Sequence, residues 1–165
     1  MKNLKSFVIV IALFIGTIGY VNAQSKVAHI NVQELVSQMP EMKAAQAELK
    51  KLEETYKADL SSSAKELQNK LVQYQNEAVS KTQEENKKRA EEVQGMEKNI
   101  LEAEQAAGKE LQKKQVELYE PILKKANDAI QKVARAQGFE YVLDASPGGG
   151  VIMADGKDLL ADVKK

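Results

Sequence analysis

The chain of 165 residues contains no cysteine and no tryptophan, and it has only three prolines and one histidine. Without cysteine it has neither a disulfide framework nor the acylated cysteine that anchors a lipoprotein. His29 has no second ligand nearby in sequence for a metal and no partner for catalysis. The few aromatic residues leave little surface for stacking on bases. These absences argue against an enzyme, a cofactor, a metal site and a nucleic-acid partner.

Two short motifs resemble ligand sites only superficially. The run Gly148 to Gly150 lacks the strand, helix and Lys-Ser/Thr pair of a phosphate-binding loop, so we interpret it as a flexible turn. Asp155, Asp158 and Asp162 lack the alternating oxygen ligands of a calcium loop. Capping of a short final helix, ending at Lys164, is the simpler role for Asp158.

The amino terminus is typical of a secretory signal peptide, residues 1–23. Lys2 and Lys5 precede an apolar stretch from Phe7 to Ile18, and small residues end at Ala23. We predict cleavage after Ala23, with an uncleaved anchor as the alternative. No later segment is apolar enough for stable membrane insertion. Removing the two lysines from 24 basic residues leaves 22 against 24 acidic ones, so no global basic field attracts nucleic acid or anionic lipid.

The middle of the chain, residues 41–121, is predicted to be a helical hairpin arm. Between Pro40 and Pro121 lie 80 residues with no proline and two glycines, rich in residues that favour helix. Apolar positions recur every three or four residues in two narrow seams, as a two-helix contact requires. The seams are Leu49, Leu52, Tyr56, Leu60, Ala64, Leu67, Leu71, Tyr74 and Ala78, then Val93, Met96, Ile100, Ala103, Ala107, Leu111 and Leu118.

The tip of this hairpin is predicted near residues 79–82. The first seam stops there, around Ser80, and Thr82 is followed by Glu85 at the spacing of a capping box. A single uninterrupted helix is the alternative. The polar stretch that follows the tip is expected to be mobile. Farther on, Pro121 removes a backbone hydrogen bond, so we predict an arm hinge there.

The two ends of the chain, residues 24–40 and 122–165, are predicted to form one small body. Strands are expected at 26–31, 139–144 and 150–154, and Gly138 ends the returning helix. The predicted fold class is α+β, mainly α: a long antiparallel coiled-coil hairpin on a small sheet. Because so small a sheet is apolar on both faces, we expect the body to associate with other copies, although association through the arms is an alternative. The predicted contact residues are Val27, Ile30, Tyr141, Val142, Leu143 and Ile152.

Several of these segments resemble the Skp (OmpH-like) family of periplasmic chaperones. The resemblance is most specific from Tyr119 through Pro121-Ile122 to Gly138-Phe139 and Tyr141 to Asp144, and it includes Val27 to Asn31 and Asp158 to Val163. It implies a periplasmic homotrimer with helical arms around a cavity. It also implies an ATP-independent holdase that keeps unfolded outer-membrane β-barrel proteins from aggregating.

The chain departs from that family in its charge, because well-known members are strongly basic and this mature chain is slightly acidic. Electrostatic capture of acidic clients or lipopolysaccharide is therefore not predicted. The alternative function is a structural or adaptor hairpin that docks a folded envelope partner, through one discrete patch at the tip.

Overall fold

The computed structural model describes residues 26–165, so the predicted signal peptide 1–23 and its cleavage after Ala23 lie outside the described residues. A long pair of helices extends from a small body that contains a sheet, which confirms the predicted α+β, mainly helical class. The elements in chain order are β1 (Val27–Ile30), α1 (Val32–Gln38), α2 (Pro40–Glu77), a 3-10 turn (Ala78–Ser80), α3 (Gln83–Ala136), β2 (Tyr141–Asp144), β3 (Lys157–Asp158) and α4 (Leu160–Val163).

The two long helices, α2 and α3, run antiparallel. Pro40 occupies the first turn of α2, where its missing N–H costs nothing, and α2 continues for 38 residues. Ion pairs join the helices from base to tip: Glu41 to Lys125, Glu48 to Lys114, and Lys70 to Glu92. The partner number falls as the residue number rises, as it must in a hairpin. The alternative of one uninterrupted helix is therefore wrong. No helix within residues 26–165 combines the length and apolarity needed to cross a bilayer.

The sheet is parallel, with strand order β2-β1-β3. Ala28 pairs with Val142 on one side and with Lys157 on the other. Since both neighbours of β1 come later in the chain, the segment 145–156 must pass from one edge of the sheet to the other. This segment is a loop rich in glycine, and we call it the crossing loop.

The predicted third strand at 150–154 is wrong. The third strand is the short β3, and residues 150–154 belong to the crossing loop. Gly148 and Gly150 have φ of 86° and 82°, a left-handed conformation that an extended strand does not use. At Gly149 a Cβ atom would lie 2.7 Å from the carbonyl oxygen of Asp144, so the loop turns too tightly there for a side chain.

The hydrophobic core lies between one face of the sheet and the base of the helical pair. Ile30 and Leu159 are its most deeply buried large side chains, with 1% and 0% of their surface exposed. The core extends into the first turns of α2 at Met42 and Ala45, beyond the predicted body segment 24–40. The division between body and arm at residues 41 and 121 stays a prediction. The α3 residues in this core are Ile122, Ala126, Ile130 and Ala134.

Helix α3 is continuous on both sides of Pro121 and ends at Ala136. Gly138 then adopts φ of 77°, and its N–H donates to the carbonyl oxygen of Arg135 at 3.1 Å. Phe139 donates to the carbonyl of Ala134 at 3.0 Å, so the last helical carbonyls are satisfied as the chain turns into β2. The hinge at Pro121 stays a prediction, because the continuity of the helix does not establish movement there.

Candidate interaction surfaces on the body and the arm

The face of the sheet that points away from the core carries exposed apolar side chains. Side chains alternate along a strand, so Tyr141 and Leu143 of β2 point opposite to Val142, which packs against the core. Tyr141 is 64% exposed and Leu143 is 47% exposed. Val27, paired with Tyr141, is half-buried on the same face. This face is an apolar surface that the described residues do not cover.

The crossing loop also exposes apolar side chains. Ile152 is fully exposed, and the neighbouring Met153 is largely exposed. Of the six predicted contact residues of the body, the structure therefore places Tyr141, Leu143 and Ile152 at the surface.

Ile30 needs a correction as a contact residue, whereas the contact predicted for Val142 stays a prediction. Ile30 is almost completely enclosed between the sheet and the helices, so it offers no surface to another copy. Val142 packs against the same core and is only partly exposed. Both residues were assigned from strand composition alone, which does not tell which of the two faces the subunit's own helices cover.

The outer edge of β2 has no strand partner within residues 26–165, because β2 lies at one end of the sheet and pairs only with β1. Such an edge presents backbone N–H and C=O groups that can pair with another chain. The charged pair of Lys26 and Glu140 lies just before this edge. The body therefore offers an open strand edge together with an apolar face.

A polar cluster at the end of β2 is the nearest approach to a catalytic arrangement. The Ser146 hydroxyl lies 2.6 Å from Oδ1 of Asp144 and accepts a hydrogen bond from the backbone N–H of Gln33 at 3.0 Å. Asp144 also accepts from the N–H of Val32 at 3.3 Å. These hydrogen bonds lower the pKa of the Asp144 carboxyl, chiefly through the Ser146 hydroxyl. The cluster satisfies the first N–H groups of α1, so a structural cap explains it.

The hairpin tip is tied together by side chains. Thr82 caps α3: its hydroxyl accepts from the N–H of Glu85 at 3.2 Å, and a Glu85 carboxylate oxygen accepts from the N–H of Thr82 at 3.0 Å. That backbone bond is the main reason why the pKa of Glu85 is lowered. The Ser80 hydroxyl donates to the carbonyl of Glu77 at 2.7 Å. The structure thus places Ser80 in the turn, Thr82 at the N-cap of α3 and Glu85 in the first turn of that helix.

Arg89 connects the two helices just below the tip. Its guanidinium pairs with Glu77 at 2.6 Å and lies 4.5 Å from the centroid of the Tyr74 ring. The Tyr74 hydroxyl donates to Glu92 at 2.5 Å. The carboxamide of Asn86 also donates to the carbonyl of Ala78 at 2.9 Å. This network was missed in the sequence, where the segment 84–92 was interpreted only as polar.

Polar contacts between the helices continue toward the base of the arm. Tyr56 donates to Glu110, Lys114 pairs with Glu48 at 2.8 Å, and Lys125 pairs with Glu41. The sequence did contain a signal for them, since oppositely charged residues occupy positions that approach each other when the chain is folded at residues 79–82.

These contacts shift the pKa values of the groups involved. The hydrogen bond from Lys125 lowers the pKa of Glu41, and that from Lys70 lowers the pKa of Glu92. The carboxylates of Glu110 and Glu92 raise the pKa of the Tyr56 and Tyr74 hydroxyls, respectively, since each accepts the phenolic proton. All of these shifts favour the charged carboxylate and the neutral phenol at neutral pH. The contacts that cause these shifts hold the two helices in one register.

Within residues 26–165, no group of three or more histidine, cysteine, aspartate or glutamate side chains could hold a metal ion. His29 is half-buried in β1, next to Leu143 and Asp158 in the neighbouring strands.

The family described as outer membrane protein (OmpH-like) matches residues 26–165 of the chain. Two relatives are each called chaperone protein Skp. The one from Pectobacterium atrosepticum is 26% identical over 94% of this chain and 93% of its own length. The one from Photorhabdus laumondii is 28% identical over 100% and 98%. Their names support a chaperone role for this chain.

A solved structure has the same fold. It is described as an outer membrane chaperone (OmpH-like) from Caulobacter crescentus CB15 and superposes with a TM-score of 0.76. The match covers 86% of this chain and 82% of that one, at 21% sequence identity. The family match covers the whole described chain, and the fold agrees with it. The chain belongs to the OmpH-like outer membrane protein family.

Proposed function

We propose that this protein is an ATP-independent holdase chaperone of the periplasm, which binds unfolded outer-membrane β-barrel proteins and prevents their aggregation. The observation that carries the proposal is the long two-helix arm attached to a small body. From Met42 to Glu77 the arm measures about 50 Å at 1.5 Å per residue, yet its apolar seam is mostly half-buried. An arm of this kind is suited to surround another molecule.

The body would join three copies into a trimer. Tyr141, Leu143 and Ile152 supply apolar surface that a single subunit leaves uncovered, next to the open edge of β2. Burial of these side chains and pairing of that edge would both favour association. Three arms that extend from one joined body would then enclose a cavity.

The clients would be polypeptides that expose apolar residues at every second position. A barrel strand cannot satisfy its backbone groups in the membrane until the barrel closes, so it needs protection during transit. Many weak contacts from three arms would hold the client by multivalency, and each contact would break easily on release. Nothing in this scheme consumes a nucleotide, in accord with a protein that is not an enzyme.

The proposal is tested by diluting a denatured outer-membrane β-barrel protein out of urea, with and without the mature protein and without nucleotide. We expect light scattering to be suppressed at about one trimer per barrel protein, as multivalent enclosure predicts. The molar mass of the protein alone, measured by light scattering, should be that of three chains. Full aggregation despite an excess of the protein would reject the holdase activity, and a monomeric mass would reject the trimer.

A second candidate function, the adaptor that docks a folded partner, is favoured by the tip. The network of Arg89, Tyr74 and Glu92 holds the tip together, and Val79 at its end is 99% exposed. A rigid tip with one apolar side chain could be a discrete docking patch. Val79→Ser separates the two functions, because it should abolish docking by an adaptor but leave aggregation suppression by a holdase almost unchanged.

A further inference from the structure

The exposed large apolar side chains of α3 lie on one side of that helix. In α3, Leu101, Val116 and Leu123 fall within roughly 60° of one another around the helix, at about 100° per residue. Leu101 and Val116 are 54% and 58% exposed. We call this side of the arm the open flank, and its exposed large apolar side chains are Leu71 on α2 and Leu101, Val116 and Leu123 on α3.

A groove between the helices shows that the α2 and α3 members share this side. Near the tip, the groove is lined by Leu71 and Gln75 of α2 and by Ala90, Val93 and Gln94 of α3, and it also reaches Tyr74 and Arg89 between the helices. Leu101 follows Gln94 by seven residues, two helical turns, and therefore lies on the same side farther down α3.

The ion pairs occupy the opposite side, which we call the paired flank. Gln73 donates to Glu77 at 3.0 Å, and Glu77 pairs with Arg89. Gln75 lies two residues from Gln73, about 200° around the helix, and lines the groove of the open flank instead. The members of the paired flank that connect the helices are Glu41–Lys125, Glu48–Lys114, Tyr56–Glu110, Lys70–Glu92 and Glu77–Arg89.

The α3 half of the open flank carries almost no charge. Between Leu101 and Leu123, the exposed positions on this side are mainly amides and one glycine, together with one lysine: Gln105, Gly108, Gln112, Gln115 and Lys109. Lys98 and Glu102 border Leu101 and pair with each other at 3.7 Å. On α2, Lys43, Lys50 and Lys57 lie toward this flank near the base, and Lys50 pairs with Glu54 within its own helix.

We infer that the open flank is the surface of the arm that binds the client, and that its occupant is an extended, unfolded polypeptide segment. This inference rests on the proposed holdase function and names the surface that performs it. Separate apolar side chains along the flank can each cover one apolar side chain of an extended strand. Between them, glutamine amides can both donate to and accept from the backbone groups that an unfolded chain leaves unpaired.

The charge pattern agrees with this occupant. An acidic ligand would need a row of fixed positive charges along the flank, and the stretch from Leu101 to Leu123 on α3 offers only Lys109. The charged groups on the opposite side are already committed to contacts between the two helices. A client bound on the open flank therefore leaves the ion pairs that hold the hairpin undisturbed.

The absence of cysteine allows a direct test with single cysteines in the mature protein. Gln75→Cys and Gln73→Cys form a matched pair, because they replace the same residue type at the same height on opposite flanks. Each variant is labelled with a benzophenone maleimide, mixed with a purified, urea-denatured outer-membrane β-barrel protein, and irradiated. We expect several-fold more crosslinked barrel protein from Gln75→Cys than from Gln73→Cys.

A second variant measures the contribution of the apolar side chains. Leu101→Gln combined with Val116→Gln should leave the helix content unchanged, since both residues are exposed, and should raise the dissociation constant for the barrel protein about tenfold. The control, Lys51→Gln combined with Thr55→Gln, lies on the other side of α2, in the groove with Tyr56 and Glu110, and should leave that constant unchanged.

The outcomes separate this inference from the proposed function. Equal crosslinking from both flanks, or an unchanged dissociation constant for the Leu101 and Val116 variant, would show that the open flank is not the client-binding surface. Neither result would contradict the holdase activity. Crosslinks between arms of two copies at Gln75→Cys, with none to the barrel protein, would also overturn it. Loss of all aggregation suppression in the unmodified protein would reject the function itself.

Discussion

The body and the arm are held together by different forces. In the body, Ile30 and Leu159 are almost wholly buried, so the hydrophobic effect fixes the sheet against the helices. In the arm, seam residues such as Leu52 and Leu67 are only half-buried, and Ala107 is the one buried residue between Ala45 and Ile122. Two helices alone cannot enclose a seam, so side-chain pairs on one flank contribute to fixing the register.

This difference means that local stability should fall from the body to the tip. Regions with few buried apolar contacts open at lower free energy than a packed core does. An arm that opens easily can adjust to clients of different size, while the body keeps the copies together. The predictions below test that contrast, beginning with the largest expected effect.

The first prediction compares a core residue with a seam residue. Ile30→Ala should lower the free energy of unfolding by about 3 kcal/mol, because it leaves a cavity among fully buried neighbours. Leu60→Ala, in the half-buried seam, should cost only about 1 kcal/mol. Both are measured by urea denaturation at one protein concentration.

Two results would contradict this contrast between body and arm. Equal losses for the two variants would mean that the seam is as well packed as the core. If Ile30→Ala does not fold, Ile30→Val serves instead. Ile30→Val should lower the free energy of unfolding by about 1 kcal/mol. Leu60→Val on the seam should lower it by less, because less buried surface is lost there.

The second prediction concerns the junction of the two regions. Pro121 is exposed inside α3 and removes one backbone hydrogen bond, so Pro121→Ala should raise the free energy of unfolding by about 2 kcal/mol. If Pro121 is the arm hinge, the variant should also narrow the range of arm positions in small-angle scattering and alter client release more than trimer mass. A neighbouring exposed change, Glu120→Ala, is the control. Unchanged arm mobility in Pro121→Ala would reject the hinge.

Sequence reasoning predicted the arm well for a physical reason. Helix propensity and a period of three to four residues act locally, so the lengths of α2 and α3 and the position of the turn followed from composition and spacing. The capping spacing from Thr82 to Glu85 also depends only on neighbouring residues. The hairpin and its tip could therefore be predicted from local sequence alone.

The body was predicted less well because its structure depends on distant contacts. A short β-branched run from Gly150 to Ala154 resembles a strand, but only the parallel order of the sheet determines that this segment must cross over β1. Which face of β1 holds Ile30 depends on where the helices pack, as does the exposure of Tyr141. The pairs between α2 and α3 likewise depend on a register that charge alone does not fix.

The third prediction uses pH to test the structural cap that Asp144 forms in the body. Hydrogen bonds lower the pKa of Asp144 in the folded protein, first through the Ser146 hydroxyl. Because the pKa is lower in the folded protein than in the unfolded chain, where it is about 4, the charged carboxylate stabilises the fold at any pH above that unfolded pKa. This stabilisation is lost as the pH falls through the folded pKa. Asp144→Asn should therefore be less stable than the unmodified protein at pH 7, and the gap should close on acidification. Urea denaturation between about pH 7 and pH 2 measures it. A gap that is independent of pH would show that the charge of Asp144 does not stabilise the cap.

The last prediction separates the two flanks of the arm with salt, and its expected effect on binding is the smallest. The ion pairs of the paired flank are partly exposed, so raising the salt from about 50 to about 300 mM should screen them and speed amide exchange in the arm. The open flank is proposed to bind chiefly through apolar and amide side chains, so client affinity should change by less than about twofold over the same range. A steep loss of affinity would mean that the client contacts charged groups. The binding surface would then be the basic residues near the base and the tip, and not the open flank. Faster exchange in the arm at constant affinity would show that the forces that hold the hairpin and those that hold the client lie on different sides of the same two helices.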